Sequence, residues 1–307
     1  MTREKDVNEI KQSINAWRVR RRAVILAHYY QWPEVQDAAD FVGDSLDLSR
    51  KACAADAEVI VFCGVYFMAE SAKILSPHKT VLLPVLTAGC PMADMITPEH
   101  IAELRRAHPD AAVVTYVNSS AAVKAVSDIC CTSSNAVAVV RSRPESTIIF
   151  GPDRNLGHFI SLQVPEKRFV FHDGFCPTHE RITVEDVRRA RAEHPDAALI
   201  VHPECRPDVV RLADFAGSTA QLIRYARESE RRELVIGTEQ GVLHPMQQQN
   251  PDKQFHLLNN RLICGNMKKC FLEHVLGALV NMEHRIELDD SVIDRAAGSL
   301  TRMLAIG

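Results

Sequence analysis

Short, continuous apolar runs punctuate the chain, and between them lie helix-period stretches of about a dozen residues. VILAHYY (24–30), EVIVFCG (58–64) and VLLPVL (81–86) form a first set. VVTYVN (113–118), STIIFGP (146–152) and RFVFHD (168–173) form a second, and ALIVHPE (198–204), ELVIGT (233–238) and NRLICG (260–265) a third. Continuous rather than alternating apolar runs predict strands covered by helices on both faces, as in parallel α/β sheets. The pattern predicts three homologous three-layer α/β modules, divided at two HPDAA segments (108–112 and 194–198) that read as helix-to-strand turns. The modules span 1–108 with a leading helix at about 4–19, 109–194, and 195–307 with closing helices from Asp290 or Ser291.

The repeat extends to polar positions. Cys90, Cys176 and Cys264 stand 86 and 88 residues apart, each at or shortly after the end of a third strand. His28, Tyr116 and His202 end first strands in register, and Tyr30, Asn118 and Glu204 lie two residues on. Ser45, Ser133 and Ser218 open helices at intervals of 88 and 85, with Ser134 and Thr219 offering second hydroxyls. Glu99, Glu185 and Glu273 each follow their cysteine by nine residues. Ligands of open parallel sheets bind beyond the carboxyl ends of the strands, so the three sets predict one shared site at the junction of the modules.

Composition narrows the chemistry. The 307 residues are 46% hydrophobic and 24% charged with a net charge of −3, which argues against nucleic acid as the main partner. The basic run RVRRR at 18–22 reads as a solvated helix end. No apolar stretch is long enough to span a membrane and the charged start lacks a secretory core, so the cytoplasm is the expected compartment. Nine cysteines there predict metal or reactive thiols rather than disulfides.

Single thiolates from three modules differ from structural zinc sites, which draw paired cysteines from tight knuckles. Three soft ligands without a fourth suit an iron–sulfur cube with one open iron acting as a Lewis acid. Burial as plain hydrophobic thiols is the competing reading, and the register of the three weighs against it. Cys53, Cys63, Cys130, Cys131, Cys205 and Cys270 have no counterparts across modules. Helix-opening hydroxyls beside unpaired N–H groups suit a phosphate or carboxylate, with plain N-capping as the alternative. Glu204 at a partly buried strand end predicts a raised pKa and proton exchange near neutrality, with Tyr30 as a partner donor. His28 and His202 are placed to hold a carboxylate or move a proton, and His179 follows Cys176 by three residues, which carries it towards the same centre.

HYYQ (28–31), GDS (43–45), AGCP (88–91), TYVNSSA (115–121), CCTSSNA (130–136), GFCPTH (174–179), HPEC (202–205), AGST (216–219) and CGNMKK (264–269) together resemble the quinolinate synthases, through nearly the whole chain. The resemblance implies three modules around a pseudo-threefold axis and a [4Fe-4S] cluster on Cys90, Cys176 and Cys264. It implies condensation of iminoaspartate with dihydroxyacetone phosphate to quinolinate, with loss of phosphate and water, for NAD synthesis. An enzyme producing iminoaspartate is the implied partner. Glu204 and Tyr30 would move protons, and His28, His202 and His179 would orient acidic groups. Tyr116, Asn118, Ser45, Ser133, Ser218 and Thr219 would complete the anion pocket. One departure is Tyr66, where the family pattern leads us to expect histidine. Other three-module iron–sulfur enzymes, the diphthamide-forming enzymes and hydroxymethylbutenyl diphosphate reductase, resemble the cysteine arrangement alone. An iron or oxygen sensor would need a DNA-binding or partner module, and neither a helix-turn-helix nor a basic stripe is present.

Overall fold

The computed structural model describes residues 2–306, so Met1 and Gly307, the outer ends of the first and third predicted modules, lie outside the described residues. Among the described residues, twelve strands form three parallel sheets. The first contains β1 (Ala23–His28), β2 (Phe41–Gly43), β3 (Val59–Cys63) and β4 (Thr80–Leu82). The second contains β5 (Ala112–Tyr116), β6 (Ile129–Cys131), β7 (Thr147–Gly151) and β8 (Arg168–Phe171), and the third β9 (Ala198–Val201), β10 (Phe215–Ala216), β11 (Glu233–Gly237) and β12 (Gln254–Leu257). The spatial order is the same in each: β2-β1-β3-β4, β6-β5-β7-β8 and β10-β9-β11-β12.

Strand residues alternate between two cores. Val24, Leu26, Ile60, Phe62, Val114, Phe150, Ile200 and Ile236 point inward to one core shared by all three sheets. Their neighbours Ile25, Val61, Val113, Ile149, Leu199 and Val235 point outward into three separate clusters. Each fully buried aliphatic side chain contributes roughly 1.5–3 kcal/mol, so the shared core is what binds the sheets together.

The outer helices close the ring. Pro98–Ala107 follows Cys90 and covers the second sheet, and Val184–Glu193 follows Cys176 and covers the third. Leu272–Asn281 follows Cys264 and returns to the first sheet, packing with the leading helix Thr2–Arg20. Glu99, Glu185 and Glu273 fall in the first turns of these helices, where a carboxylate meets the positive helix end. The last helix, Asp290–Leu304, sits against the first and second units: Ser299 Oγ donates to the Lys124 carbonyl and Arg302 to the Asp128 carbonyl.

Charged side chains repeat with the fold. Asp40, Asp128 and Asp214 each accept the amide of a first-strand residue, Ile25, Val113 and Leu199, and each pairs with an arginine, Arg18, Arg105 and Arg191. Lys79, Lys167 and Lys253 each donate to carbonyls in the last turn of, or just beyond, the helix that follows β2, β6 and β10 respectively. The run at 18–22 closes the leading helix and is exposed at Val19, Arg20 and Arg22, as a solvated helix end would be, while its arginines also find partners: Arg18 pairs with Asp40, Arg22 with Glu58, and Arg21 caps the Leu279 and Val280 carbonyls.

Two sequence expectations change. NRLICG is not a strand; β12 is Gln254–Leu257, a half-buried edge strand, while Leu262 of the apolar run packs into the outer core from a loop. Each sheet also has a fourth, two- or three-residue strand, too short for a periodic signal.

Candidate active site

The carboxyl ends of all three sheets face one cavity of about 550 Å³. His28, Tyr30, Tyr116, Asn118, His202 and Glu204 line it, with Cys90, Cys176 and Cys264, so the strand-end groups and the thiols of three units meet as the repeat predicts. His28 and Tyr116 are the last residues of β1 and β5 and His202 follows β9, while Tyr30, Asn118 and Glu204 lie in the turns beyond.

The histidines of the first and third units are held alike. The Tyr30 amide donates to His28 Nδ1 (3.1 Å) and the Glu204 amide to His202 Nδ1 (3.3 Å). An Nδ1 that accepts cannot carry the proton, so each neutral ring is an Nε2–H donor. Burial lowers the pKa of His28 to about 3, aided by His202, and that of His202 to about 4, so both rings are neutral donors at neutral pH.

Glu204 is buried and accepts from Tyr116 Oη (2.7 Å), while His179 Nδ1 lies 2.8 Å from its other oxygen. Burial opposes ionisation, but the His202 and His179 rings and the Tyr116 hydroxyl outweigh it and hold the carboxyl below its usual range. This overturns the raised pKa expected from burial alone; since His202 is neutral at neutral pH, the bonds from His179 and Tyr116 sustain the carboxylate there. His179 Nε2 reaches Thr238 Oγ1 (2.9 Å), which also meets Tyr30 Oη (2.8 Å), and Tyr30 Oη contacts Thr219 Oγ1 (3.0 Å). A continuous chain thus runs Tyr30–Thr238–His179–Glu204–Tyr116 across the three units.

The predicted helix-opening hydroxyls follow the aspartate register, Asp40, Asp128 and Asp214, each five residues before Ser45, Ser133 and Thr219; Ser45 and Thr219 do begin helices, whereas Ser133 lies in a turn ahead of the helix Ala136–Ser142, which Asn135 precedes. Thr219, rather than Ser218, is therefore the equivalent of the two serines, and these three line the cavity. Ser218 caps the helix Thr219–Glu228 and meets Ser134 Oγ (2.8 Å), which also donates to Asp44 (2.6 Å), joining the units beside the cavity. Asn118 Oδ1 is buried without a hydrogen-bond partner, an acceptor left for a ligand.

Two buried carboxylates escaped the sequence reading. Asp153 Oδ2 accepts the Cys176 amide (3.0 Å) and Glu239 Oε1 the Cys264 amide (3.3 Å), fixing the cysteine loops. Glu239 also pairs with Lys268 (3.2 Å), whose Nζ donates to the Tyr30 and Gln31 carbonyls of the first unit. Neither position belongs to a short motif; only the strand ladder aligns Asp153 and Glu239 with each other and with Val65.

Burial pushes the Cys90 thiol up to about 12 and raises Cys176 and Cys264 as well, so these thiols ionise only beside a bound cation. Cys176, His179 and Glu204 also bring ligand atoms within 4.8 Å of one another. The donor set fits a thiolate-bound metal group, and all nine cysteines are free.

The sequence profile of the quinolinate synthetase A protein family matches residues 12–305. The chain belongs to this family. It is 52% identical over 301 residues to the quinolinate synthase of Caldicellulosiruptor saccharolyticus, covering 98% of this chain and 99% of the relative. The quinolinate synthase of Geobacter metallireducens is 55% identical over 297 residues, 97% of each chain, and that of Thermodesulfovibrio yellowstonii 49% over 300 residues, 98% of this chain and 99% of the relative. No helix among the described residues of this quinolinate synthetase A family member is long and apolar enough to cross a membrane.

Proposed function

We propose that this chain is a quinolinate synthase of NAD biosynthesis, condensing iminoaspartate with dihydroxyacetone phosphate to quinolinate with release of phosphate and water. The observation that carries the reading is the meeting of Cys90, Cys176 and Cys264, one from each unit, beside the buried Glu204 in a single cavity. These cysteines would hold a [4Fe-4S] cluster, which when bound supplies a Lewis-acidic iron free of protein ligands. Thiolates must stay reduced to bind iron, which favours a cytoplasmic setting. An iminoaspartate-producing enzyme would supply the nitrogenous substrate.

The substrates bring two carboxylates and a phosphate. His28 and His202 present Nε2–H donors to these groups; Ser45 and Thr219 add hydroxyls at helix openings, where N–H groups and partial positive charge favour anions, and Ser133 adds one from a turn. Ser218 holds the seam beneath them. Asn118 Oδ1 accepts from an imine or hydroxyl hydrogen. Glu204, kept ionised, removes a proton during dehydration, with His179 and Tyr116 stabilising its two states, and Tyr30 returns a proton through Thr238. The enclosing walls keep water from the imine.

Anaerobic reconstitution followed by iron and sulfide analysis and a quinolinate assay tests the reading. One cluster per chain and product without added reductant are expected, since the condensation is redox-neutral. A normal cluster after Cys264→Ser, or turnover that requires a reductant, would overturn it.

A further inference from the structure

On the outer face of the third unit, far along the sheet from the thiols, three side chains from separate elements converge. His194 caps the carboxyl end of the helix Val184–Glu193, Glu233 opens β11, and His256 lies on β12. Val235 pairs with His256 and Glu233 with Gln254, so Glu233 and His256 share the face that this helix covers. His194 Nδ1 lies 2.7 Å and His256 Nε2 2.9 Å from the same carboxylate oxygen, and the rings stack with centroids 3.8 Å apart.

The contact at His256 is close without being a hydrogen bond: Nε2 is buried and has no hydrogen-bond partner. A buried nitrogen lone pair beside a carboxylate needs either a proton in line or a cation. The fold itself does not ask for the trio. The equivalent of Glu233 and His256 is Thr147 and Val170 in the second sheet, and Val59 and Leu82 in the first. Those sheets form with no carboxylate and no imidazole at the two strand positions.

We propose that His194, Glu233 and His256 form a binding site for a divalent transition ion of the Zn²⁺ class, separate from the thiol-lined cavity. Two imidazoles and one carboxylate are a borderline donor set that suits Zn²⁺ and disfavours Mg²⁺ and Ca²⁺, which take oxygen ligands. Ligands of a tetrahedral zinc stand roughly 3.4 Å apart at bond lengths of about 2.0–2.1 Å, so entry of the ion spreads the trio by about half an ångström. The side chains are 25%, 32% and 32% exposed, leaving room for that movement and for water as a fourth ligand. A recess lined by His194, Glu193, Asp186 and Arg261 opens beside it on the His194 side. The ion ties the end of an outer helix to two strands.

The test uses the cluster-loaded protein under anoxic conditions, dialysed against Zn²⁺ with metal analysis, so that Cys90, Cys176 and Cys264 are already occupied. Wild type is expected to take up one more zinc per chain than His256→Val, which installs the second sheet's residue, or Glu233→Gln, which keeps the shape. Iron content and quinolinate formation stay unchanged in both. Affinity at the site should fall about 100-fold or more, since even outer-shell changes cost roughly 10–100-fold, and zinc should raise the melting temperature of wild type alone. Equal zinc uptake and equal thermal response in wild type and Glu233→Gln would overturn the site, whether or not His256→Val folds.

Discussion

His28 and His202 end equivalent strands, accept equivalent amides and present the same Nε2–H to the cavity, yet the first and third units surround them with opposite chemistry. Where the third unit places Glu204, the first places Tyr30; where the third continues from β11 with Thr238 and Glu239, the first continues from β3 with Gly64 and Val65. The cysteine loops differ accordingly. Glu239 grips the Cys264 amide, whereas the Cys90 loop is held through the Tyr66 amide on the Ala88 carbonyl and through Lys269 of the third unit on Thr87. A first sheet that forms with Tyr30 and Val65 at these two positions shows that the sheet itself does not need the carboxylates. Their cost in desolvation is offset by buried partners, so their purpose lies in the site.

The largest break in this comparison is expected from Glu204→Gln, which should retain the proposed iron–sulfur cluster while lowering kcat by about 10²–10⁴-fold, the usual worth of a positioned acid or base. Tyr30→Phe, at the equivalent place, keeps a neutral wall and should lose less. Equal losses measured by single-turnover quinolinate formation would show that the units share the chemistry evenly. Next comes Glu239→Val, which copies the first unit and strands the buried Lys268 ammonium. A cost of roughly 3–5 kcal/mol is expected in denaturant unfolding, and adding Lys268→Met should return much of it. Failure of the second change to rescue would place the role of Glu239 on the Cys264 and Gly241 amides instead.

The sequence carried the period, the thiols and the strand-end groups because each is a conspicuous residue type repeated at 86–88 residues. The aspartate–arginine pairs and the lysine caps repeat just as faithfully, but charged residues between apolar runs look like a solvated face until the amides they satisfy are visible. Ser218 stands one place out of register, since the neighbouring hydroxyls Ser218 and Thr219 cannot be told apart until the roles of Asp40, Asp128 and Asp214 fix the alignment. Glu204 was misjudged in sign because burial is legible from a strand end, whereas the opposing contacts come from His179 and Tyr116, remote in sequence. Thr238 and Lys268 act wholly through such remote contacts.

Acid should treat the two units alike. Folded-state pKa values of about 3 for His28 and about 4 for His202 lie below the ordinary 6.5, so the unfolded chain binds protons that the folded chain does not. Stability is therefore full above pH 6.5 and falls as pH drops towards 4, by about 1.4 kcal/mol per unit for each ring. His28→Asn and His202→Asn should each flatten the slope of unfolding free energy against pH by a similar amount. A much larger effect of one would mean that burial does not act on both rings alike.

The smallest expected effect tests the link between the units. Thr238 Oγ1 bonds both Tyr30 and His179, and the first unit has Gly64 at the equivalent position, which carries no hydroxyl to form such a bridge. Thr238→Val removes the hydroxyl and keeps the bulk, losing two hydrogen bonds worth about 1 kcal/mol each, or about a thirtyfold fall in kcat for the pair. Thr238→Ser should restore it, since the hydroxyl rather than the methyl joins the phenol to the imidazole. If the valine variant keeps full kcat, protons leaving Tyr30 do not travel through His179, and the neutral first unit serves only as a wall against which the charged third unit works.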